Sequence, residues 1–472
     1  MRGNWRVWVF AFAATIGSAP ARSEPPPPLL MPAGSNQLVP PHAAIVDDVP
    51  SFARNKPHAG EHVEGNHVEA LPAVGYDPNV GVLLGAIGYY AMDGSKEDPL
   101  FSVTPYRHRF YAQSVFSTLG YQQHMLSYDG VYLANSPYRV RATLMFERNI
   151  NANYFGVGSR AMGPLEFQGR THRSFDEQTA AASALQDGVA SPLYNHYKYN
   201  KPSGTVTLER ALLGGLVRLE IGAVVQYIAI ATYDGTNTYG RDAAGNDVPA
   251  IHGPTKLGLD CGAGIVRGCR GGWNDMLKAG VAFDTRDFEP DPNEGLFADA
   301  VVEWSSKAFG SSYDYARFTT TARFYKSPFP NIADLVLASR LVYSMQTANA
   351  PFFAQGTLGG TERDIEGSLG GDYTLRGYRN NRFSGPVMAL ANAELRWTFW
   401  KFHLFEQHFG LMLAPLVDVG RVFDNVDLSL SQWRATYGGA FRIAWNHSSI
   451  FRLDIATSRE DTGVYFDVDL PF

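Results

Sequence analysis

Val217-Arg218-Leu219-Glu220-Ile221-Gly222-Ala223-Val224-Val225-Gln226-Tyr227 changes character at nearly every step. In an extended chain successive side chains point to opposite faces. Val217, Leu219, Ile221, Ala223, Val225 and Tyr227 therefore share one face, and Arg218, Glu220, Gly222 and Gln226 the other. Such a segment is a strand with one apolar and one polar side. The same period runs from about residue 70 to the end of the chain. Phe318, Thr320, Ala322 and Phe324 oppose Arg317, Thr319, Thr321 and Arg323. Leu395, Trp397 and Phe399 oppose Glu394, Arg396 and Thr398, and Phe451, Leu453 and Ile455 oppose Arg452 and Asp454. The fold class is all-β.

Alternation also fits a soluble sandwich, whose polar face meets water. Three features favour a membrane barrel instead. Many of the strands reach the ~9–11 residues that a tilted membrane crossing needs. Aromatic residues gather near strand ends, as an interfacial girdle requires. The chain closes on Val464-Tyr465-Phe466-Asp467-Val468-Asp469-Leu470-Pro471-Phe472, with Phe466, Val468, Leu470 and Phe472 on one face and Asp467 and Asp469 on the other. This stretch resembles the C-terminal targeting strand of bacterial outer-membrane barrels. Sixteen strands fit between residues 69 and 472, the first over 69–76, the third over 101–116 and the last over 462–472. An even number suits a single-chain bacterial barrel. The three longest connections, about 150–193, 233–272 and 348–385, all follow odd-numbered strands. Long extracellular loops and short periplasmic turns, with both termini in the periplasm, have that asymmetry. The prediction is a 16-stranded antiparallel transmembrane β-barrel over residues 69–472, placed in the cell outer membrane.

Ahead of it, Arg2 and Arg6 precede an apolar stretch over 7–16 and a small-residue site at Ala19-Pro20-Ala21. That is the pattern of a secretory signal peptide, assigned to residues 1–21. Residues 22–68 are Pro-rich, with Pro25 to Pro28 consecutive, and hold no apolar periodicity. They read as a disordered periplasmic linker. His58, His62 and His67 lie within it; a flexible tether offers a metal no fixed geometry. In an exported chain the pair Cys261 and Cys269 is expected to form a disulfide. No further ligands stand near them, so no metal site and no cofactor are expected. The net charge of −6 gives nucleic acid nothing to bind.

Gly370-Gly371-Asp372-Tyr373-Thr374-Leu375-Arg376-Gly377-Tyr378, then Asn392-Ala393-Glu394-Leu395-Arg396, resembles the outer-membrane assembly factor superfamily. This is the BamA/TamA-like bacterial surface antigen family, which also includes two-partner secretion pores. The family carries an Arg-Gly-Tyr/Phe motif in the loop after its eleventh strand, where the strand count places it here. Phe283-Asp284-Thr285-Arg286-Asp287, with Pro292 and Gly295 after it, is similar to the family's Asp-x-Arg-Asp turn. Leu416-Val417-Asp418-Val419-Gly420 is similar to its Phe-x-Asp-x-Gly strand, with Leu416 replacing Phe. The resemblance spans about 70–472. It implies that loop residues Gly371, Leu375, Gly377 and Tyr378 seat Arg376 against Asp418 in the lumen; Glu394, on a polar strand face, is the second candidate. A guanidinium taken out of water needs a carboxylate in reach, ideally bidentate. Asp284, Arg286 and Asp287 read as a salt-bridged turn rather than a catalytic or metal cluster.

No hydrolase elbow, zinc-protease motif or phosphate loop occurs, and the reading is non-enzymatic. The resemblance implies insertion or translocation of proteins through a lateral seam between first and last strands, where an incoming strand would pair. A short first strand carrying Pro72 and Gly75 would weaken that seam. Implied partners are outer-membrane lipids, substrate barrel or secreted proteins, and the host barrel assembly machinery that folds the chain itself. Full-length assembly factors carry periplasmic POTRA domains before the barrel, and residues 22–68 do not resemble one. Hence a second expectation stands beside the first: a loop-plugged structural or pore-type surface antigen barrel with no assembly activity. A third is an outer-membrane lipid-active enzyme with a site assembled from separated strands.

Overall fold

A computed structural model describes residues 65–472, apart from 96, 98–100, 102–103, 105, 288, 290, 330–331, 348, 405–406, 427–430, 446–448 and 469. The expected signal peptide 1–21 and the linker up to residue 64 lie outside the described residues. Sixteen strands, each antiparallel to its sequence neighbour, close into one barrel. They are β1 (Gly65–Asp77), β2 (Gly81–Gly94), β3 (His108–Ser117), β4 (Gln122–Gly130), β5 (Tyr138–Asn153), β6 (His196–Leu212), β7 (Val217–Ala231) and β8 (Met276–Asp284). Then follow β9 (Gly295–Ser305), β10 (Tyr315–Lys326), β11 (Leu335–Gln346), β12 (Val387–Leu404), β13 (Gln407–Phe423), β14 (Arg434–Trp445), β15 (Ser449–Thr457) and β16 (Thr462–Val468). A short strand, Gly271–Trp273, extends the β7 ladder just before β8.

Burial is inverted relative to a water-soluble protein. On β7, Arg218 and Glu220 are buried, whereas Leu219, Ile221 and Val225 are 45, 61 and 54% exposed. Six of the largest fully buried side chains are arginines: Arg317, Arg340, Arg376, Arg396, Arg442 and Arg452. A soluble sandwich would bury leucine and expose arginine. Here the apolar faces look outward, with Trp273, Trp304, Trp397 and Trp400 among the exposed aromatics. Hydrocarbon is the solvent that suits this surface, and ring closure pairs backbone groups that lipid cannot. No described helix is long and apolar enough to cross a membrane; the crossing is made by strands.

Three long loops leave the rim opposite the chain's first strand start: loop A (154–195), loop B (232–275) and loop C (347–386). Loops A and B knit together. Val189–Ala190 of loop A runs parallel to Asp247–His252 of loop B, which pairs with Asn237–Arg241. Helix α1 (Phe175–Ser183) is capped by Ser174 Oγ and helix α2 (Lys256–Gly262) by Thr255 Oγ1. Tyr154 Oη donates to Asp260 at 2.8 Å across the two loops. Loop C turns down into the lumen.

Three strand boundaries differ from expectation. β1 begins at Gly65 and runs thirteen residues, so it is not short, and residues 65–68 belong to the strand rather than to the expected linker. It carries Pro72 as edge strands do. β3 begins at His108 rather than 101, because Phe101 and Tyr106 are buried at the rim; Tyr106 Oη donates to Asp129 at 2.9 Å. The last strand stops at Val468. Leu470 and Phe472 do not continue the outer face of Phe466: both are buried, and Phe472 packs with Tyr325, Val336 and Ala338 inside the barrel. Lumenal arginines hold them there. Arg340 Nη1 donates to the Pro471 carbonyl at 2.9 Å and Arg396 Nη2 to the Phe472 oxygen at 2.7 Å.

Candidate functional site

On β12 to β15, every second residue faces the lumen, which brings Glu394, Arg396, Asp418, Arg442, Arg452 and Asp454 to one inner wall. Into it drops Arg376 from loop C. Its Nε and backbone N donate to Asp418 Oδ2 at 3.0 and 3.1 Å, and its Nη2 to Oδ1 at 2.8 Å. Its Nη1 reaches Glu394 Oε1 at 2.6 Å and Asp454 Oδ2 at 3.1 Å. Both expected acids are therefore in contact with Arg376, together with a third that was not expected. Asp418 also accepts from Asn392 Nδ2 at 2.7 Å and Thr436 Oγ1 at 3.2 Å, from the strands on either side. Glu394 is shared with Arg442 at 2.8 and 2.9 Å and with Arg396 at 2.9 Å. Arg452 joins Asp454 at 2.9 Å, Asp372 at 2.7 Å and Asp467 at 3.1 Å. Burial works against the Arg376 charge, but Asp418, Glu394 and Asp454 outweigh it and raise the guanidinium well above its ordinary range.

The motif's other residues explain how the loop fits. Leu375 is fully buried beside Leu369, Tyr378 and Phe383 in an apolar cluster within the lumen. Gly420 leaves room for it: a Cβ there would sit 3.1 Å from Leu369 and 3.2 Å from Leu375. Thus Asp418 and Gly420, two apart on one face, supply the counter-ion and the space. Gly377 has φ of +102°, and a Cβ would lie 2.9 Å from the Thr457 backbone. Tyr378 is buried edge-on against Phe383, with ring centroids 4.9 Å apart. Gly371 also has positive φ, at the turn where its N–H donates to the Tyr378 carbonyl at 3.0 Å.

A second anchor holds the other end of loop C. Glu362 meets Arg218 at 3.2 Å, Arg323 at 2.7 Å and Arg286 in a shorter contact. Burial raises its carboxyl, but Arg286, Arg323 and Arg218 prevail and hold it well below the usual range. Arg286 is also bidentate to Asp284 at 3.0 and 2.8 Å, and Asp287 accepts from the backbone of Asn293 and Glu294 at 2.9 and 3.1 Å. Thr361 donates twice to Asp299, at 2.8 and 2.9 Å. Loop C is thus tied to two walls. Sequence reasoning missed Glu362, because one glutamate in a loop carries no pattern. The signal lay in the lumenal arginines Arg218, Arg286 and Arg323, which require a carboxylate.

Cys261 and Cys269 form a disulfide in loop B, with Cα atoms 6.0 Å apart. Among the described residues no cluster of ligands could hold a metal. Asp418, Glu394 and Asp454 are each engaged by guanidinium donors, so they act as counter-ions within a lock.

The barrel closes where β1 meets β16, and the closure is thin. Among the described residues that ladder holds one pair, Tyr76 with Phe466, whereas β15 and β16 stay in register from Phe451↔Val468 to Thr457↔Thr462. Gly75 lies against it, where a Cβ would come within 2.9 Å of the Phe466 carbonyl.

The fold is similar to that of BamA from Haemophilus ducreyi lacking POTRA domains 1–3, at 12% identity and a TM-score of 0.48, covering 86% of this chain and 70% of that one. It is similar also to CdiB from Escherichia coli, at 11% identity and a TM-score of 0.49, covering 87% and 68%. No curated protein matches the chain. Residues 60–107 match a domain of unknown function, DUF5982. Residues 132–468 match the Omp85 superfamily domain, from the turn before β5 through the lock to β16. A closed sixteen-stranded outer-membrane barrel with an arginine-locked lumenal loop, matched over most of its length, belongs to the Omp85 superfamily.

Proposed function

We propose that the protein assists insertion or translocation of proteins at the outer membrane through a lateral opening between β1 and β16. The observation that carries this is the seam, one described pair against seven on the other side of β16. Unpaired backbone groups in hydrocarbon cost several kcal/mol each. An exposed β1 edge is therefore a template on which an incoming strand gains main-chain hydrogen bonds. In this reading the rim with loops A to C faces outward and both termini face the periplasm, following a signal peptide over residues 1–21. Phe466, Val468, Leu470 and Phe472 serve as the targeting segment read by the host assembly machinery. Partners are outer-membrane lipids and the proteins inserted or exported, and the role is non-enzymatic.

The two-walled anchoring of loop C favours a second reading, a plugged structural or pore-type barrel with no assembly activity. Cysteines at Tyr76 and Phe466 would lock the seam in the oxidising periplasm. Cells carrying the locked protein, or lacking the gene, are expected to lose one or more barrel or surface proteins from the outer membrane. An outer-membrane proteome unchanged in both strains would sink the insertion reading and leave the plugged barrel.

A further inference from the structure

The seam has one described backbone pair, yet side chains of loop C span it at the loop rim. Arg379 Nη1 donates to the Pro78 carbonyl at 2.7 Å, in the turn between β1 and β2. Its Nε lies 2.6 Å from Asp461 Oδ2, in the turn between β15 and β16. One guanidinium thus touches both sides of the closure. Its face covers the Phe175 ring of α1, 4.7 Å from the centroid, so loop A lies over it. The neighbours repeat the arrangement. Asn380 N donates to Asn79 Oδ1 at 3.3 Å on the β1 side. Arg382 grips Glu460 on the β16 side at 2.6 and 2.9 Å, and donates to the Ala161 and Gly163 carbonyls of loop A at 2.6 and 2.8 Å.

We propose that Arg379 is a clasp that pins the seam at the loop rim, with α1 as its cover, so that the seam parts first at the opposite rim. The inference rests on the seam-opening reading above and adds its direction and its control. Arginine suits the task because one nitrogen donates to a carbonyl while its spread charge lies against a carboxylate and its face stacks on a ring; lysine offers one point charge. The lock at Arg376 holds loop C to the wall whether the seam is open or shut. Arg379 has to let go, together with the Tyr76–Phe466 pair, for β1 and β16 to part at their loop ends.

The test is distance measurement between nitroxide pairs in the full-length protein in phospholipid vesicles. One pair, at Tyr76 and Val464, reports the loop end of the seam; the other, at Val68 and Phe451, the opposite end. The unaltered chain should give a narrow distribution for the first pair and a broad one for the second. Arg379→Ala should abolish the narrow peak, Asp461→Asn should weaken it, and Arg379→Lys should restore it in part. Heat-modifiable gel migration checks that each variant is a folded barrel, and Asp461→Asn decides the matter if Arg379→Ala does not fold. The clasp is overturned if the first pair stays narrow in the folded variants, or if the second pair is as narrow as the first in the unaltered chain. Distances that respond while the outer-membrane proteome of the seam-locked and gene-deleted cells stays normal would uphold the clasp and remove the insertion reading.

Discussion

Removing Arg376 would leave behind carboxylates that no water can reach. Asp418 and Glu394 are both fully buried in the lock, and Arg376 is bidentate to the first and 2.6 Å from the second. Breaking a buried ion pair by deleting one partner costs about 3–5 kcal/mol, because the other charge stays buried without compensation. Arg376→Ala should therefore lower stability by that order, read as a shift in the urea midpoint of the vesicle-inserted barrel. Asp418→Asn keeps the shape and most donors' partners, and should cost less. Gly420→Val should also destabilise, by about 1–3 kcal/mol, through overpacking against Leu369 and Leu375. An Arg376→Ala midpoint equal to that of the unaltered chain would show that the lock contributes no stability. At this scale the Arg376–Asp418 contact follows from motif resemblance plus parity. Asp454 and Glu362 do not, since their part depends on where distant strands and a loop meet.

Among the elements, the lid of loops A and B carries a pH dependence of its own. His252 is buried at the end of its strand; Nε2 accepts from Leu193 N at 3.1 Å and Nδ1 faces the Gly253 carbonyl at 2.6 Å. Burial lowers its pKa, opposed by the Gly253 carbonyl and Asp234. The neutral ring is the form the lid accepts. Its contribution is fully present above the unfolded imidazole's value of ~6.5 and is lost as pH falls from there through the folded value. Protease cleavage within 233–272 should thus quicken between pH 7 and pH 5 and do so less in His252→Gln. Equal pH responses in the two proteins would remove His252 from the account. The parallel pairing of Val189–Ala190 with Asp247–His252 that builds this lid has no local signature, because its partners lie some sixty residues apart.

For the whole molecule, the lumen is filled rather than open. Loop C crosses it between Glu362 at one wall and Arg376 at the other, and Phe472 occupies part of it from below. In planar bilayers the unaltered barrel should pass little current, and the combined Glu362→Gln and Arg376→Ala variant should pass more than either alone. Porin-like current through the unaltered protein would contradict a loop C seated as described.

Strand number, strand direction and the identity of the lipid-facing side were determined by the sequence alone. They follow from a period of two and from loop lengths, which are local quantities, and Leu219 against Glu220 displays them within two residues. The tertiary structure decided where the charges find partners. Arg396 and Arg340 turn the last residues inward instead of letting them extend β16, and among the described residues β1 keeps one pair with that strand. Arg379 reaches both sides of that seam. A buried charge is satisfied by proximity in space and not by spacing in the chain, so these pairings emerge only once the barrel has closed.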